Sequence, residues 1–259
     1  MIPAACHNCS TALAGRYCHA CGQDSQPPET GWASWRDQMQ RLFRTVRTLL
    51  VAPGKLTLEH LGGARIRYIP PFTLFLNAVA VFFLFAVVTR FQLRDLVAQN
   101  PSWLAPMAEQ YAAAAGVPVD AFIQRAERRF QGIYTLSLVI VSVAGYTLAY
   151  KALFWHSLLP GWRGPFAAAL HYIALIFVVA LPWLMLAQLV SGVIPRPLYL
   201  AATAVPIALA VVWNAAAARR FGNHGWPIAI AKGLAVVVAG FVIDGVMTYA
   251  AMQATFRLA

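Results

Sequence analysis

Five stretches of the chain are apolar almost without interruption: residues 72–89, 133–151, 166–190, 198–218 and 227–251. Each approaches or exceeds the roughly 20 residues that a helix rising 1.5 Å per residue needs to cross the hydrocarbon core. The pattern predicts five transmembrane helices. Gly and Pro inside these runs are less damaging in a bilayer than in water, and Pro182 predicts a kink in the third. The longest polar interval after the first run is 91–131. Within it NPSWLAPMAEQYAAAAG and VPVDAFIQRAERRF each read as a short helix. The second has Asp120 near its start and Arg128-Arg129 near its end, an order that complements the helix dipole. These helices predict a small cap on the outer surface, too small for a catalytic domain.

The segment ahead of the first run has a different periodicity. In WASWRDQMQRLFRTVRTLLVAPGK, Trp35, Met39, Leu42, Phe43, Val46, Leu49 and Leu50 recur at helical spacing, while Arg36, Arg41, Arg44 and Arg47 occupy much of the remaining surface. This is a cationic amphipathic helix stopped by Pro53-Gly54. It suits either the headgroup plane or packing on the protein's own body. LTLEHLGGARIRYIPPFTLFL then enters the first run through Pro70-Pro71, and proline is well tolerated at a helix start. Arg65, Arg67 and Tyr68 fall just outside that span, where an interfacial anchor to lipid or a partner belongs. Residues 27–31, PPETG, read as a linker.

Composition agrees with the bilayer as solvent. Of 259 residues 60% are hydrophobic and 11% charged, with mean hydropathy +0.61, against about 45–50% and about 25% in soluble domains. The net charge of +11 is better explained by cytoplasmic loops and anionic headgroups than by nucleic acid, which is not an expected partner. No secretory signal peptide is apparent, so the first membrane helix is expected to act as the targeting signal. With five spans and the N-terminus inside, the inner side holds thirteen Lys and Arg and the outer side seven. The positive-inside bias therefore predicts a cytoplasmic N-terminus and an outer C-terminus.

The first 26 residues are too few for a hydrophobic core, and they hold all four cysteines, Cys6, Cys9, Cys18 and Cys21. Two Cys-x2-Cys pairs separated by eight residues suit four thiolates around one tetrahedral zinc ion. Gly22 follows the second pair, where a knuckle needs a flexible backbone, whereas Ser10 stands in that place after the first. Two disulfides would require an oxidising compartment. Thioredoxin-like redox chemistry lacks a surrounding βαβ unit, and an iron site uses the same ligands. His7 and His19 adjoin the cysteines, but four sulfurs already fill a shell. A closed shell has no place for a reacting water, so the expected metal is structural, and a module this small depends on it to fold. Arg16 is the only Lys or Arg in this module, a further reason not to expect nucleic acid there.

The order CxxC, YCxxCGQ, amphipathic helix, then PG, LT, E, GG, R and YIPP running into a membrane helix resembles the uncharacterised bacterial membrane family DUF3667. The residues that carry the resemblance are Cys6, Cys9, Tyr17, Cys18, Cys21, Gly22 and Gln23, then Pro53, Gly54, Thr57, Glu59, Gly62, Arg65, Tyr68, Pro70 and Pro71. It covers roughly residues 1–90. Family members often carry Gly-Lys-Arg where this chain has Gly63-Ala64-Arg65. The resemblance implies a zinc-ribbon head on a polytopic domain in the bacterial inner (cytoplasmic) membrane, and no established activity.

Ionisable residues inside spans are costly and tend to face the protein interior. Asp244 is the only acidic residue in any of the five runs, and it reads equally as a functional group or as structural glue. His171, Asn77, Gln188, Asn214 and Trp213 are weaker candidates, with interhelical hydrogen bonding the plainer reading for Asn77. Neither HExxH, GxSxG, a P-loop nor paired catalytic carboxylates occur, so enzyme chemistry has little support. No inverted repeat of the kind transporters use is evident. The expected fold is a mainly α polytopic membrane protein with a small N-terminal four-cysteine zinc ribbon or knuckle. The expected function is non-enzymatic scaffolding, with anionic membrane lipid and a protein as partners. The alternative is a small-molecule, ion or lipid transporter built on Asp244.

Overall fold

The computed structural model describes residues 5–6, 9–15, 17–22, 32–63, 67–89, 92–157, 161–189 and 195–259. The chain divides into two compact units, Met1–Thr45 and Val46–Ala259. Arg65, Arg90, His7, Arg16, Gln23 and the linker expected at 27–31 lie outside the described residues, as does the side chain of Gln188.

In the first unit a knuckle-forming segment precedes α1 (Trp32–Val51), which begins in this unit and ends in the second. The expected amphipathic helix is therefore present. Trp35, Met39 and Phe43 are exposed on it, as are Arg36, Arg41, Arg44 and Arg47.

The second unit is entirely helical among the described residues. After the Pro53-Gly54 turn come α2 (Lys55–Leu61) and α3 (Pro71–Thr89). Then follow α4 (Leu93–Gln99), α5 (Leu104–Ala114) and α6 (Val119–Leu153). α7 (Arg163–Leu175) passes through a π-helical turn, Ile176–Ala180, into α8 (Leu181–Leu189). α9 (Arg196–Gly222) and α10 (Trp226–Arg257) complete the chain.

Among the described residues, three helices are long and apolar enough to cross a membrane, Arg163–Ala187, Arg196–Gly222 and Trp226–Arg257. A fourth is counted if the two arms of α6, Val119–Tyr134 and Val139–Leu153, form one span. The first predicted span corresponds to α3, whose apolar stretch Pro71–Phe85 is shorter. The second differs from expectation at its start. The cap helix expected near 119–131 and the span expected at 133–151 are one helix, because the only intervening breaker is Gly132, which costs only about 1 kcal/mol in a helix. A 43° bend separates the two arms between Tyr134 and Val139, inside the span expected at 133–151 and not at its start.

Two apolar cores result. The larger, around Phe75, Tyr150, Tyr172, Phe177, Trp213 and Phe221, lies within the bundle. The smaller joins α4, α5 and the first arm of α6 to the last turns of α10 through Ala251, Met252 and Phe256. Among the described residues, α4, α5 and the first arm of α6 thus pack against the C-terminal end of α10. Glu127 accepts from the leading amide of α4, that of Leu93, at 2.8 Å, and Tyr111 donates to Gln253 at 2.7 Å.

Lipid tails are as apolar as leucine, so close backbone packing and hydrogen bonds must hold the helices together. Glycines make the close approaches. A Cβ on Gly233 would stand 2.6 Å from the Ala215 amide nitrogen, and one on Gly145 2.7 Å from Ile243. One on Gly240 would collide with the Tyr146 hydroxyl.

Two prolines add a specific demand. Pro206 lies inside α9 and has no N–H for the carbonyl of Ala202 four residues earlier. The Trp183 indole N–H of α8 donates to that carbonyl at 2.8 Å. Pro53 deprives the carbonyl of Leu49 in the same way, and the Trp213 indole N–H of α9 donates to it at 2.7 Å. Pro182 is accommodated differently. The π-helical turn before it, closed by the Leu181 amide on the Ile176 carbonyl, supplies the distortion expected there.

Trp183→Phe should destabilise the protein in detergent by about 1–3 kcal/mol, the cost of an unsatisfied carbonyl in an apolar setting. Adding Pro206→Ala should recover most of that loss, since residue 206 then donates to Ala202 itself. Thermal or denaturant unfolding of the two single variants and the double variant measures this coupling.

Candidate functional site

The four cysteines meet. Their sulfurs all lie within 4.8 Å of one another, with Cys6 and Cys21 at 3.6 Å and Cys9 and Cys18 at 3.5 Å. No disulfide joins any of the four. A tetrahedral ion with metal–sulfur bonds of about 2.3 Å requires sulfur separations of about 3.8 Å, so the donor set fits a metal ion closely.

The local backbone explains the convergence. Each pair closes a turn in which the amide just beyond the second cysteine returns to the carbonyl of the first: Ser10 donates to Cys6 at 2.9 Å, and Gly22 to Cys18 at 2.8 Å. Both donors are left-handed, Ser10 at φ 58° and Gly22 at φ 73°. A bridge between Ala5 and Ala12 closes the first knuckle at its base. Cys6 and Cys18 are buried, Cys9 and Cys21 exposed. The hydroxyl and the amide of Thr11 stabilise the Cys9 thiolate and lower its pKa to about 6.

Ser10 bears the cost of the left-handed conformation that glycine avoids, on the order of 1 kcal/mol. Because metal binding and folding are one process in so small a module, Ser10→Gly should tighten metal binding about fivefold. Competition against a chromophoric chelator reads this directly.

A second constellation lies where the Pro53 turn, α2 and the start of α3 dock on α7 and α9. Gly54, at φ 79°, turns the chain so tightly that a Cβ there would stand 3.0 Å from the Ala217 Cα. The Arg220 guanidinium donates to the Pro53 carbonyl. Thr57 in α2 and Nδ1 of His171 in α7 share a buried hydrogen bond of 2.8 Å. The His171 Nε2 is buried without a hydrogen-bond partner among the described residues, as is one carboxylate oxygen of Glu59. Lys55 lies 3.7 Å from the other Glu59 oxygen.

Tyr68, expected as an interfacial anchor, has its ring buried instead. Burial first, then its bond to Glu59, hold its phenol above the ordinary pKa. It braces the segment from inside. Arg67 stays exposed, its guanidinium 5.4 Å from the centre of the Tyr68 ring.

This docking unit is the part of the chain that the comparisons recognise. Residues 40–83 match the DUF3667 family, described as a protein of unknown function. The DUF3667 stretch contains Pro53, Gly54, Thr57, Glu59, Gly62, Arg65, Tyr68, Pro70 and Pro71 of the residues that carry the resemblance, whereas the four cysteines precede it. No curated protein and no solved structure matches the chain.

The remaining polar candidates separate by environment. Asp244 in α10 faces α6, where the hydroxyls of Tyr146 and Ser142 donate to it at 3.4 and 3.5 Å. These are long bonds, so the carboxylate is loosely held. Gly240, one turn earlier, makes room for the Tyr146 hydroxyl. Asn214 is buried and fully engaged, accepting from Tyr150 at 2.6 Å and donating to the Ala210 carbonyl at 2.9 Å. Asn77 is exposed on α3 and has no hydrogen bond among the described residues. His171 and Asp244 have separate partners.

Sequence reasoning missed Tyr146 and Ser142, and it gave Trp183 no role. One usable signal existed for the tryptophan. A proline within an apolar helix calls for a donor from elsewhere, and an indole in a neighbouring apolar run can supply it.

Proposed function

We propose that this integral membrane protein is a non-enzymatic scaffold. Its N-terminal module holds one structural zinc ion on the cytoplasmic side and presents a shaped surface to a protein partner. The convergence of four sulfurs at tetrahedral spacing carries this reading, because a closed shell supports a surface and leaves no coordination position for a substrate. Zinc is favoured over iron as the metal most often held in small structural four-cysteine modules. Taken with five crossings of a bacterial inner membrane, the positive-inside bias supports a cytoplasmic N-terminus and an outer C-terminus. The exposed arginines Arg36, Arg41, Arg44 and Arg47, with Arg67 and Arg65, would meet anionic headgroups.

The purified protein should contain one zinc per chain, and Cys6→Ser/Cys9→Ser should lose it together with its crosslinked partner. Metal analysis and crosslinking followed by affinity purification test both halves. Identical partners recovered from the wild type and the double variant would sink the scaffold reading.

A second reading has one observation in its favour. Asp244 is an intramembrane carboxylate held only by long bonds from Tyr146 and Ser142, an arrangement suited to a proton- or cation-coupled step in transport. In proteoliposomes carrying an interior pH dye, Asp244→Asn should then abolish proton flux while the protein stays folded. Equal traces from wild type and variant would remove this reading.

A further inference from the structure

An apolar groove of about 340 Å³ runs along α9 opposite the end of α7 and the π-helical turn. Ile176 and Val179 of that turn form one wall, Pro206, Ala210 and Trp213 the other. Two backbone distortions, the π turn and the proline, therefore face each other across it. At one end the groove reaches Pro53 and Ala216.

Ala216 also lines a second cleft, formed with Arg219, Arg220, Asn223 and Trp226. The two cavities are joined by more than a shared residue, because the Arg220 guanidinium donates to the carbonyl of Pro53 in the groove wall. Arg219 lies with its guanidinium 4.5 Å from the centre of the Trp226 ring. Both arginines are exposed, and neither is paired with a carboxylate among the described residues. The lining of groove and cleft contains no acidic residue. Fourteen residues separate Pro206 from Arg220, or roughly 20 Å along the helix, so the site runs from the end of α9 toward its middle.

We propose that groove and cleft together form a binding site for an anionic diacyl phospholipid, with one acyl chain between the π turn and Pro206 and the phosphate at Arg219 and Arg220. A free phosphate would satisfy the arginines and leave the groove unfilled. A zwitterionic lipid would fill the groove but bring no net charge to two uncompensated cations. The Arg219–Trp226 pair has the amphipathic character of a headgroup-level anchor, and each basic residue there favours an anionic lipid. The site rests on the membrane assignment of the chain and is independent of the zinc head and of any scaffold partner.

Native mass spectrometry of the full-length protein, titrated with phosphatidylglycerol or phosphatidylcholine, tests the site. The wild type should retain one phosphatidylglycerol and bind it well above phosphatidylcholine. Arg219→Gln/Arg220→Gln should weaken phosphatidylglycerol about thirtyfold and leave phosphatidylcholine unchanged, from about 1 kcal/mol for each charge. Ala210→Trp should displace both lipids by filling the groove, and Val179→Phe provides a second filling variant if the first unfolds in the thermal melt. Equal retention of the two lipids by the wild type would overturn the proposal, as would undiminished phosphatidylglycerol in the double arginine variant. So would lipid kept by a folded groove-filled variant, since the headgroup would then bind without the groove. Chelating the zinc should leave retention unchanged, which separates this outcome from failure of the scaffold reading.

Discussion

The Trp213 indole donates to the Leu49 carbonyl because Pro53 has no amide hydrogen to do so. An unsatisfied carbonyl in apolar surroundings costs as much as a good side-chain packing interaction contributes. That constraint ties the end of α1 to the middle of the bundle. Once it is met, the Pro53-Gly54 turn lies against α9, with Ala217 too near to admit a side chain on residue 54. α2 then lies where Thr57 reaches His171, and Pro71 can start α3 along the same bundle. The same solution recurs at Pro206, where Trp183 supplies the hydrogen bond. A bilayer offers no water to repair a broken helix ladder, so the repair must come from a neighbouring helix.

This dependence gives physical content to the stretch that matches DUF3667. Its Pro-Gly turn, threonine, glutamate and tyrosine act as a docking device, joining an amphipathic entry helix to a membrane bundle. The four-cysteine head lies in the other compact unit and folds around its own ligands. The chain thus combines two small devices of different chemistry, a four-cysteine donor set able to hold a metal ion and a set of hydrogen bonds to proline-freed carbonyls.

Much of this was legible from residue order. Cys-x2-Cys spacing leads directly to convergent sulfurs, because a short turn fixes each pair locally. The arginine periodicity of 36–47 foretold α1, and the apolar runs foretold the long helices. Tyr68 was misplaced, since an aromatic beside arginines near a span suits an interfacial belt and an internal brace equally well. The run of α6 through the polar-to-apolar change escaped for a related reason: that change marks a change of environment, and the helix carries on past it before bending by 43° beyond Tyr134. Asp244 was identifiable as costly, but its partners Tyr146 and Ser142 lie about a hundred positions away in the chain.

The sequence by itself determined where the long apolar helices and the amphipathic α1 lie, that the bilayer is the solvent of the apolar ones, and which four side chains can hold a metal, but not the short helices α2 and α4. Those properties depend on local periodicity, burial of apolar surface and short-range spacing. The tertiary structure alone decided which indole serves which carbonyl, which glycines let helices touch, and where two helical distortions face each other to leave a groove. Each of those depends on distances between residues far apart in the chain. In a bundle whose exterior and interior are equally apolar, hydrophobic pattern carries little record of which face meets which.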